Sequence, residues 1–437
     1  MNPRLLPRIL LAVIVAAYVT IGVLYAVFTP TWQVPDEPAH YNYIRALAEG
    51  RGFPAIEPGD YDQAYLERLK GEHFPLELTV EPVEYEDHQP PLYYLLATPI
   101  YLLLGGAVLP LRLLSVLFGA GVLVVAFGAV SAIFPARPEL ALMATALIAF
   151  IPQHVAMTAG VNNDALAELV VGSTLWACVV YVSGGHAPSW SVGLLLAVAL
   201  LTKTTAYVAV GVAVLAVAIR WRRECRTWGW AIRQLAWMLV PALLVSAPWF
   251  IHNGLIYGWR DPFGLVRHNA VVEGQPRSIE WLARYGWGGL VSRMARTTFQ
   301  SFWGQFGWME LVLPARIYQV LALFSALLAI GFLWWLFDRR RPRLTSLQRA
   351  GLLLLLASCF FTILSYFWYN LTFVQHQGRY LFPALLPIGT AAAFGLSRLA
   401  RVLPQRMRAW AMAAPLAGLA ALDVYCLFKF IVPFLAR

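Results

Sequence analysis

Charge is scarce in this chain. Only 13% of its 437 residues are charged and 59% are hydrophobic, with mean hydropathy +0.62. Soluble domains carry roughly 25% charged residues, so a water-soluble globular enzyme is excluded, and so is a disordered chain. Lysine is nearly absent, with three copies against thirty arginines. Cysteine is limited to Cys178, Cys225, Cys359 and Cys426, three of them inside apolar runs. No C-x-x-C spacing occurs, which argues against a disulfide framework or a zinc site. Neither G-x-x-x-x-G-K-[ST] nor a strand followed by G-x-G-x-x-G is found, and no cytoplasmic segment is long enough for a nucleotide-binding domain. An enzyme of this kind would take its activated substrate from the lipid, and a pump would not run on its own ATPase.

What the chain has in quantity is long apolar runs of membrane-spanning length. They are continuous rather than alternating, which predicts helices and not a transmembrane barrel. The expectation is an all-α polytopic membrane protein of about eleven spans, near 8–28, 110–134, 138–157, 164–183, 190–202, 205–220, 234–257, 316–337, 348–369, 379–400 and 410–432. The first run lacks an A-x-A site and reads as an uncleaved first helix rather than a signal peptide. Pro91 to Leu104 is apolar but short, and reads as a re-entrant or interfacial helix. Residues 190–220 are interrupted at Thr202-Lys203-Thr204-Thr205, predicting two short helices that meet at the lysine.

The net charge of +10 divides unevenly. Residues 29–91 hold thirteen acids and four bases, a net of −9, so the remainder carries +19. The basic residues cluster at Arg4/Arg8, Arg220/Arg222/Arg223/Arg226, Arg339/Arg340/Arg341/Arg343 and Arg398/Arg401/Arg406/Arg408. The positive-inside rule makes these clusters cytoplasmic, together with the N-terminus. The charge is therefore a topology signal and no sign of nucleic-acid binding. Two large segments then lie outside, 29–109 and 258–315. They divide the chain into 1–257, 258–315 and 316–437. In the first outer segment His40, Tyr43, Ile44 and Leu47, then Tyr61, Tyr65 and Leu69, recur at helical spacing, predicting short amphipathic juxtamembrane helices. In the second, Trp281, Trp287, Trp303 and Trp308 fit an aromatic belt at headgroup level.

Few polar residues remain to carry chemistry. Asp36 and Glu37 sit in Val34-Pro35-Asp36-Glu37-Pro38-Ala39-His40, where prolines stiffen the backbone. A carboxylate held there can take a proton from an acceptor hydroxyl; the alternative is that Asp36 caps the following helix. Glu84, Glu86, Asp87 and His88 form an acidic cluster whose carboxylates offer oxygen ligands of the kind a divalent metal takes, though a solvated turn is the preferred reading. Asn162, Asn163 and Asp164 are expected as a turn and cap between spans, with His154 just before them as an interfacial histidine. Lys203, between two apolar helices, needs an anionic partner such as a lipid phosphate, unless it snorkels to the surface. Arg379, in Gln375-His376-Gln377-Gly378-Arg379-Tyr380, has a guanidinium suited to phosphate, and Gly378 would let backbone approach a ligand closely. Arg112 and Arg379 adjoin spans on the outer side, where arginines are unexpected.

In order along the chain stand Asp36-Glu37-Pro38-Ala39-His40-Tyr41, Gln89-Pro90-Pro91-Leu92-Tyr93-Tyr94, Asn163-Asp164-Ala165-Leu166, Leu201-Thr202-Lys203 and Gln377-Gly378-Arg379-Tyr380-Leu381-Phe382-Pro383. This set resembles the GT-C superfamily of polytopic membrane glycosyltransferases, in particular a bacterial branch typed by the first and last of these motifs. More distantly it is similar to protein O-mannosyltransferases and aminoarabinose transferases. The resemblance covers the first 210 residues and 370–390. It implies inverting transfer, on the outer face of the cell envelope membrane, of a sugar from a polyprenyl-phosphate-linked donor to a saccharide, lipid or protein acceptor. Asp36 would be the base, assisted by Glu37. Lys203 and Arg379 would hold the donor phosphate, with His88 and Arg112 as further candidates. His40, Asn163, Asp164 and His376 are candidates for substrate contact. Gln89 departs from the family, which often places His or Lys near the two prolines. The O-mannosyl relatives work without a metal whereas the oligosaccharyl relatives need one, and no cofactor is expected here. The main rival function is a transporter or flippase for a lipid-linked saccharide. A transporter places polar groups near the midplane, while here they gather at one face. A structural subunit of a membrane assembly is a third reading.

Overall fold

Backbone in hydrocarbon must satisfy its own hydrogen bonds, so long apolar runs become helices. The computed structural model describes residues 5–185, 187–340 and 342–436; Arg4 and Arg341 of the basic clusters lie outside them. In chain order the helices are α1 (Leu5–Phe28), α2 (Glu37–Ala48), α3 (Gln63–Gly71), α4 (Leu92–Leu103), α5 (Val108–Ile133), α6 (Pro138–Ala149), α7 (Pro152–Thr158), α8 (Asp164–Val182) and α9 (Ser189–Leu200). A 3₁₀ turn, Thr204–Tyr207, leads into α10 (Val208–Arg223), followed by α11 (Trp228–Ile256), α12 (Leu265–Val271) and α13 (Ser278–Trp303). A two-stranded hairpin, β1 (Gln305–Phe306) and β2 (Leu311–Val312), precedes α14 (Ala315–Phe337) and α15 (Ser346–Asn370). A 3₁₀ stretch, Gly378–Ala384, then opens α16 (Leu385–Ala400), and α17 (Gln405–Cys426) continues through a π turn to α18 (Val432–Leu435).

Among the described residues nine helices are long and apolar enough to cross a membrane, or ten if α6 and α7, bent by 67°, form one span. The expected count of eleven is thus not reproduced. At a count of nine the bent α6–α7 pair is also missing; at ten the difference lies at α9 alone, which has 12 residues. At 1.5 Å per residue that is about 18 Å, short of the roughly 30 Å of a bilayer core. The break expected at Lys203 is present, between α9 and the 3₁₀ turn. The short helix expected after Pro91 is α4.

α5 and α8 pack against each other at the centre, with α1 and α6 beside α5, and α9, α10 and α15 around α8. α11 and α14 lie at the periphery, where Leu243, Leu244, Val320 and Leu323 are exposed as lipid-facing side chains are. α10 and α16 both start at the end that carries Lys203 and Arg379, and both finish on arginines.

The segments beyond the helix ends form a layer with its own core. Ile56, Leu66, Leu69, Phe74, Val83 and Tyr85 of the first segment bury together with Val271 at the end of α12, with Val272 just after it and with Phe373. The apolar face of α3 therefore packs on protein rather than on lipid. Among the tryptophans Trp287 is exposed, but Trp303 is buried and Trp308 donates its indole N–H to the Trp32 carbonyl at 2.9 Å. Interior packing thus claims half of the expected belt.

Glycine sets the closest helix approach. A Cβ built at Gly395 on α16 would lie 2.1 Å from the Leu328 carbonyl oxygen of α14, and one at Gly331 would lie 2.4 Å from the Gly395 carbonyl oxygen. Small residues permit such contact between membrane helices. Gly395→Val should separate α14 from α16 and destabilise the protein by about 1–3 kcal/mol. A thermal unfolding midpoint in detergent unchanged from wild type would contradict this.

Candidate active site

The five motif stretches come together at one end of the bundle. The bend at Pro90-Pro91 starts α4, and the Leu92 N–H donates to the Leu201 carbonyl at 2.9 Å, which fastens α4 to the chain just before Lys203. Tyr94 lies beneath this junction. Its hydroxyl meets His40 Nδ1 at 2.9 Å and is 3.5 Å from the Asn163 amide nitrogen, and its ring stacks on Tyr43 with centroids 3.7 Å apart. One aromatic side chain thus joins the first loop, the Pro-Pro turn and the start of α8.

Asp36 precedes α2 with φ +68, a left-handed backbone uncommon for a residue with a side chain. Its carboxylate makes no capping bond. Instead Oδ2 accepts from Arg379 Nη2 at 2.5 Å and Oδ1 accepts from the Tyr85 hydroxyl at 2.7 Å. Burial by itself raises a carboxyl, but the Arg379 guanidinium and the Tyr85 hydroxyl outweigh it and bring Asp36 down to about 2. Lys203 does not snorkel. It is 9% exposed, and Nζ donates to Asp164 Oδ1 at 2.6 Å. The Asn162 side-chain oxygen accepts from the Asp164 N–H at 3.0 Å, so the expected turn is present and serves to hold the lysine's partner.

Asp36, Lys203 and Arg379 line one cavity of about 310 Å³. Glu86, His88 and Gln89 come from the first segment, and Tyr366, Tyr369 and Tyr380 form an aromatic wall. The acidic cluster is not a solvated turn: Asp87 and His88 are each 4% exposed. Burial, reinforced by the Asp36 charge, pushes Glu86 up to about 7, and burial with Glu84 pushes Asp87 up to about 9. Burial and the neighbouring His268 hold the His88 imidazole far below its usual value. His268, from α12, also lines the cavity, its ring 4.5 Å from that of His88. Burial and Lys203 likewise bring His40 down to about 3, so it stays neutral behind the cavity. Among the described residues no three His, Cys, Asp or Glu side chains converge as metal ligands. Several buried polar atoms have no partner: Arg379 Nε, Glu86 Oε2 and Gln89 Oε1. Buried polar atoms left unpaired at a cavity are what a polar ligand would satisfy.

Other candidates lie elsewhere. Arg112 is 3% exposed and does not line the cavity. Its Nε and Nη2 donate to the two Glu37 carboxylate oxygens at 2.7 and 2.6 Å, and its remaining donors reach the carbonyls of Ala26, Thr29 and Pro30. Glu37 is fully buried and also accepts the N–H groups of Trp32 and Val161. The pair is complete as it stands, with no donor left for a phosphate, and it ties α1, α2, α5 and the turn between α7 and α8 together. Asn163 and Asp164 stand behind Tyr94 and Lys203. His376 is apart from the cavity, its ring edge-on to Trp281. His154 bonds Glu168 at 2.9 Å inside the bundle. Gly378 has its close approach to α13 rather than to a ligand: an added Cβ would lie 2.3 Å from the Phe302 backbone nitrogen, and the Gly378 N–H donates to Ser301 Oγ at 2.7 Å. Sequence reasoning missed Tyr85, His268, Tyr366 and Tyr369, because nothing local distinguishes them from the many other aromatic and loop residues; Tyr380 was read only as part of its motif.

The sequence matches the family described as dolichyl-phosphate-mannose-protein mannosyltransferase over residues 88–252. That stretch includes His88, Arg112, Asn163, Asp164 and Lys203, and stops short of Arg379. No curated protein matches the sequence. Among solved structures the chain is similar to ArnT from Cupriavidus metallidurans bound to undecaprenyl phosphate, with TM-score 0.51 and 16% identity over 97% of this chain and 73% of that one. The apo state of the same protein gives TM-score 0.52 with the same identity and coverage. AglB from Archaeoglobus fulgidus, an oligosaccharyltransferase in complex with an inhibitory peptide and a dolichol-phosphate, gives TM-score 0.50 and 13% identity over 95% of this chain and 55% of that one. The chain has the GT-C fold, and the resemblance drawn from its motifs is borne out at that level.

The two acids of the first loop should behave differently. Arg112→Met leaves Glu37 buried without its counter-charge and should cost about 3–5 kcal/mol. The double variant Glu37→Gln/Arg112→Met should recover much of that loss. A folded, stable Arg112→Met protein would return Arg112 to the list of ligand-binding residues.

Proposed function

We propose that this protein is a membrane glycosyltransferase that moves a sugar from a polyprenyl-phosphate-linked donor to an acceptor hydroxyl or amine, with inversion at the anomeric carbon. The observation that carries the reading is the meeting of Asp36, Lys203 and Arg379, from three distant stretches, at one cavity. The match to a mannosyltransferase family and the likeness to a structure holding undecaprenyl phosphate support the donor class.

In the proposed step the acceptor oxygen or nitrogen attacks the anomeric carbon while the bond from that carbon to the phosphate oxygen breaks. The bonding electrons leave with the phosphate, and the acceptor's proton goes to Asp36. Lys203 and Arg379 are fixed cations for the departing charge, in the manner of preorganised electrostatic stabilisation. No resident metal is part of the proposal. Asp36 held near 2 by Arg379 is a poor base. A donor phosphate that engages the guanidinium weakens this restraint, so donor binding itself makes Asp36 more basic. The tyrosine wall offers faces for a sugar ring, and Tyr207, Phe263 and Leu265 offer an apolar side for the prenyl stem. With the arginine clusters at the opposite face, the positive-inside rule puts the cavity on the outer side and the N-terminus in the cytoplasm.

The decisive measurement is sugar transfer from a labelled polyprenyl-phosphate donor by purified protein. Asp36→Asn should lower turnover by roughly 10²–10⁴-fold while folded protein is retained. Lys203→Ala should raise the KM for donor more than that for acceptor. Full activity in Asp36→Asn would remove the base from this scheme.

Glu86 predicts a pH effect. Its proton is half lost near pH 7. Protonated, it can donate to the phosphate; ionised, it repels it. A sugar phosphodiester keeps one charge throughout this range, so donor affinity should fall as pH rises, by up to tenfold between about pH 7 and 8. Glu86→Gln should flatten the profile. A profile that keeps its slope in that variant would assign the titration to another group.

A further inference from the structure

A second cavity lies apart from the first and shares no lining residue with it. α14 packs on α16, and α15 packs on α10 and α8, so that these consecutive helices scarcely touch each other. Between them runs an apolar groove of about 730 Å³. At the end nearer the active site it is bounded by Ile151, Phe299, Phe302 and Trp303; at the other end by Leu336, Leu344 and Leu352. The hydroxyls of Ser325 and Thr390 face inward but donate to carbonyls of their own helices, at 2.7 and 2.8 Å, so the groove presents hydrocarbon. Leu336 and Leu356 on its rim are exposed.

The groove does not end blindly. Leu336 and Leu344 also line an open basin of about 650 Å³ formed by the α14–α15 connection. Arg339, Arg343 and Arg349 stand around that basin, all exposed, and among the described residues none of them has an ion-pair partner. The one acid there, Asp338, is held by Arg398 at 2.8 Å. A slot for hydrocarbon therefore opens directly under a cluster of uncompensated guanidinium groups, at the membrane face opposite the active site.

We infer that this groove and basin form a binding site for an anionic glycerophospholipid, with the phosphate among Arg339, Arg343 and Arg349 and an acyl chain lying between α14 and α15. Forked guanidinium donors match a phosphate, and each basic residue near a membrane surface adds to the attraction for anionic lipid. The polyprenyl donor is a poorer occupant, because a head group in this basin is a membrane thickness away from Lys203 and Arg379. Phe299 and Phe302 in the groove wall flank Ser301, which holds Gly378 next to Arg379, so a lipid seated there also braces the active-site arginine. The site stands independently of the transferase reading.

Native mass spectrometry of the full-length protein with phosphatidylglycerol and phosphatidylcholine of identical chains tests the site. The wild type should retain phosphatidylglycerol over phosphatidylcholine by about tenfold or more. Arg339→Gln/Arg343→Gln/Arg349→Gln should lose that preference while still holding either lipid weakly. Ala329→Phe, which fills the groove at an exposed position and leaves the arginines intact, should lose both. Equal retention of the two lipids by wild type, or a preference unchanged in the triple variant, overturns the inference. Displacement of phosphatidylglycerol by undecaprenyl phosphate in wild type but not in Arg379→Ala also overturns it, by giving the groove to the donor.

Discussion

The ion pair between Asp36 and Arg379 is the constraint on which the rest of the site turns. Two opposite charges are removed from water, and such a pair persists only where geometry and further hydrogen bonds repay desolvation. Here Tyr85 supplies one such bond, and the left-handed backbone at Asp36 aims the carboxylate. The pair connects the loop after α1 to the segment that opens α16. The aromatic wall and the extramembrane core are arranged around that closure. In the proposed reaction the same pair is the resting state of the base, released when a phosphate competes for the guanidinium.

The neighbouring acid illustrates how environment divides two adjacent carboxylates. Glu37 faces inward, where Arg112 and two backbone N–H groups saturate it. Asp36 faces a cavity and leaves Arg379 Nε without a partner. One side chain is structural because nothing about it is incomplete. The other lines a cavity together with residues whose buried polar atoms have no protein partner. The same distinction separates Arg112 from Arg379, two arginines that the sequence places next to spans on the outer side, of which Arg112 was the further candidate for the phosphate.

Much of the fold was legible because hydrocarbon imposes a strong pattern. Most spans, the short helix at Leu92 and the break at Lys203 all follow from apolar run length and its interruptions. The span count was less secure at α9, because a helix that ends early beside a buried lysine satisfies no length rule. Asp36, Lys203 and Arg379 were legible by motif and by the rarity of charge. His268 and Tyr85 were not, because their importance arises only from which distant residues they meet. Gly378 shows a subtler failure: the need for glycine was read correctly, but the crowding partner is the backbone of α13. The amphipathic spacing of α3 likewise identified a helix with an apolar face without saying whether lipid or protein would cover it.

The distance along the chain between the two members of the central pair has a consequence for biosynthesis. Arg379 follows Asp36 by 343 residues. While the chain is still being made, the first loop emerges with its acids and without that counter-charge, and the cavity has no floor until α15 and the segment after it are in the membrane. A nascent chain arrested after Lys203 but before that point holds the proposed base and lysine but no assembled pocket. Completion of the cavity therefore waits until α15 and the segment that carries Arg379 have been made and inserted.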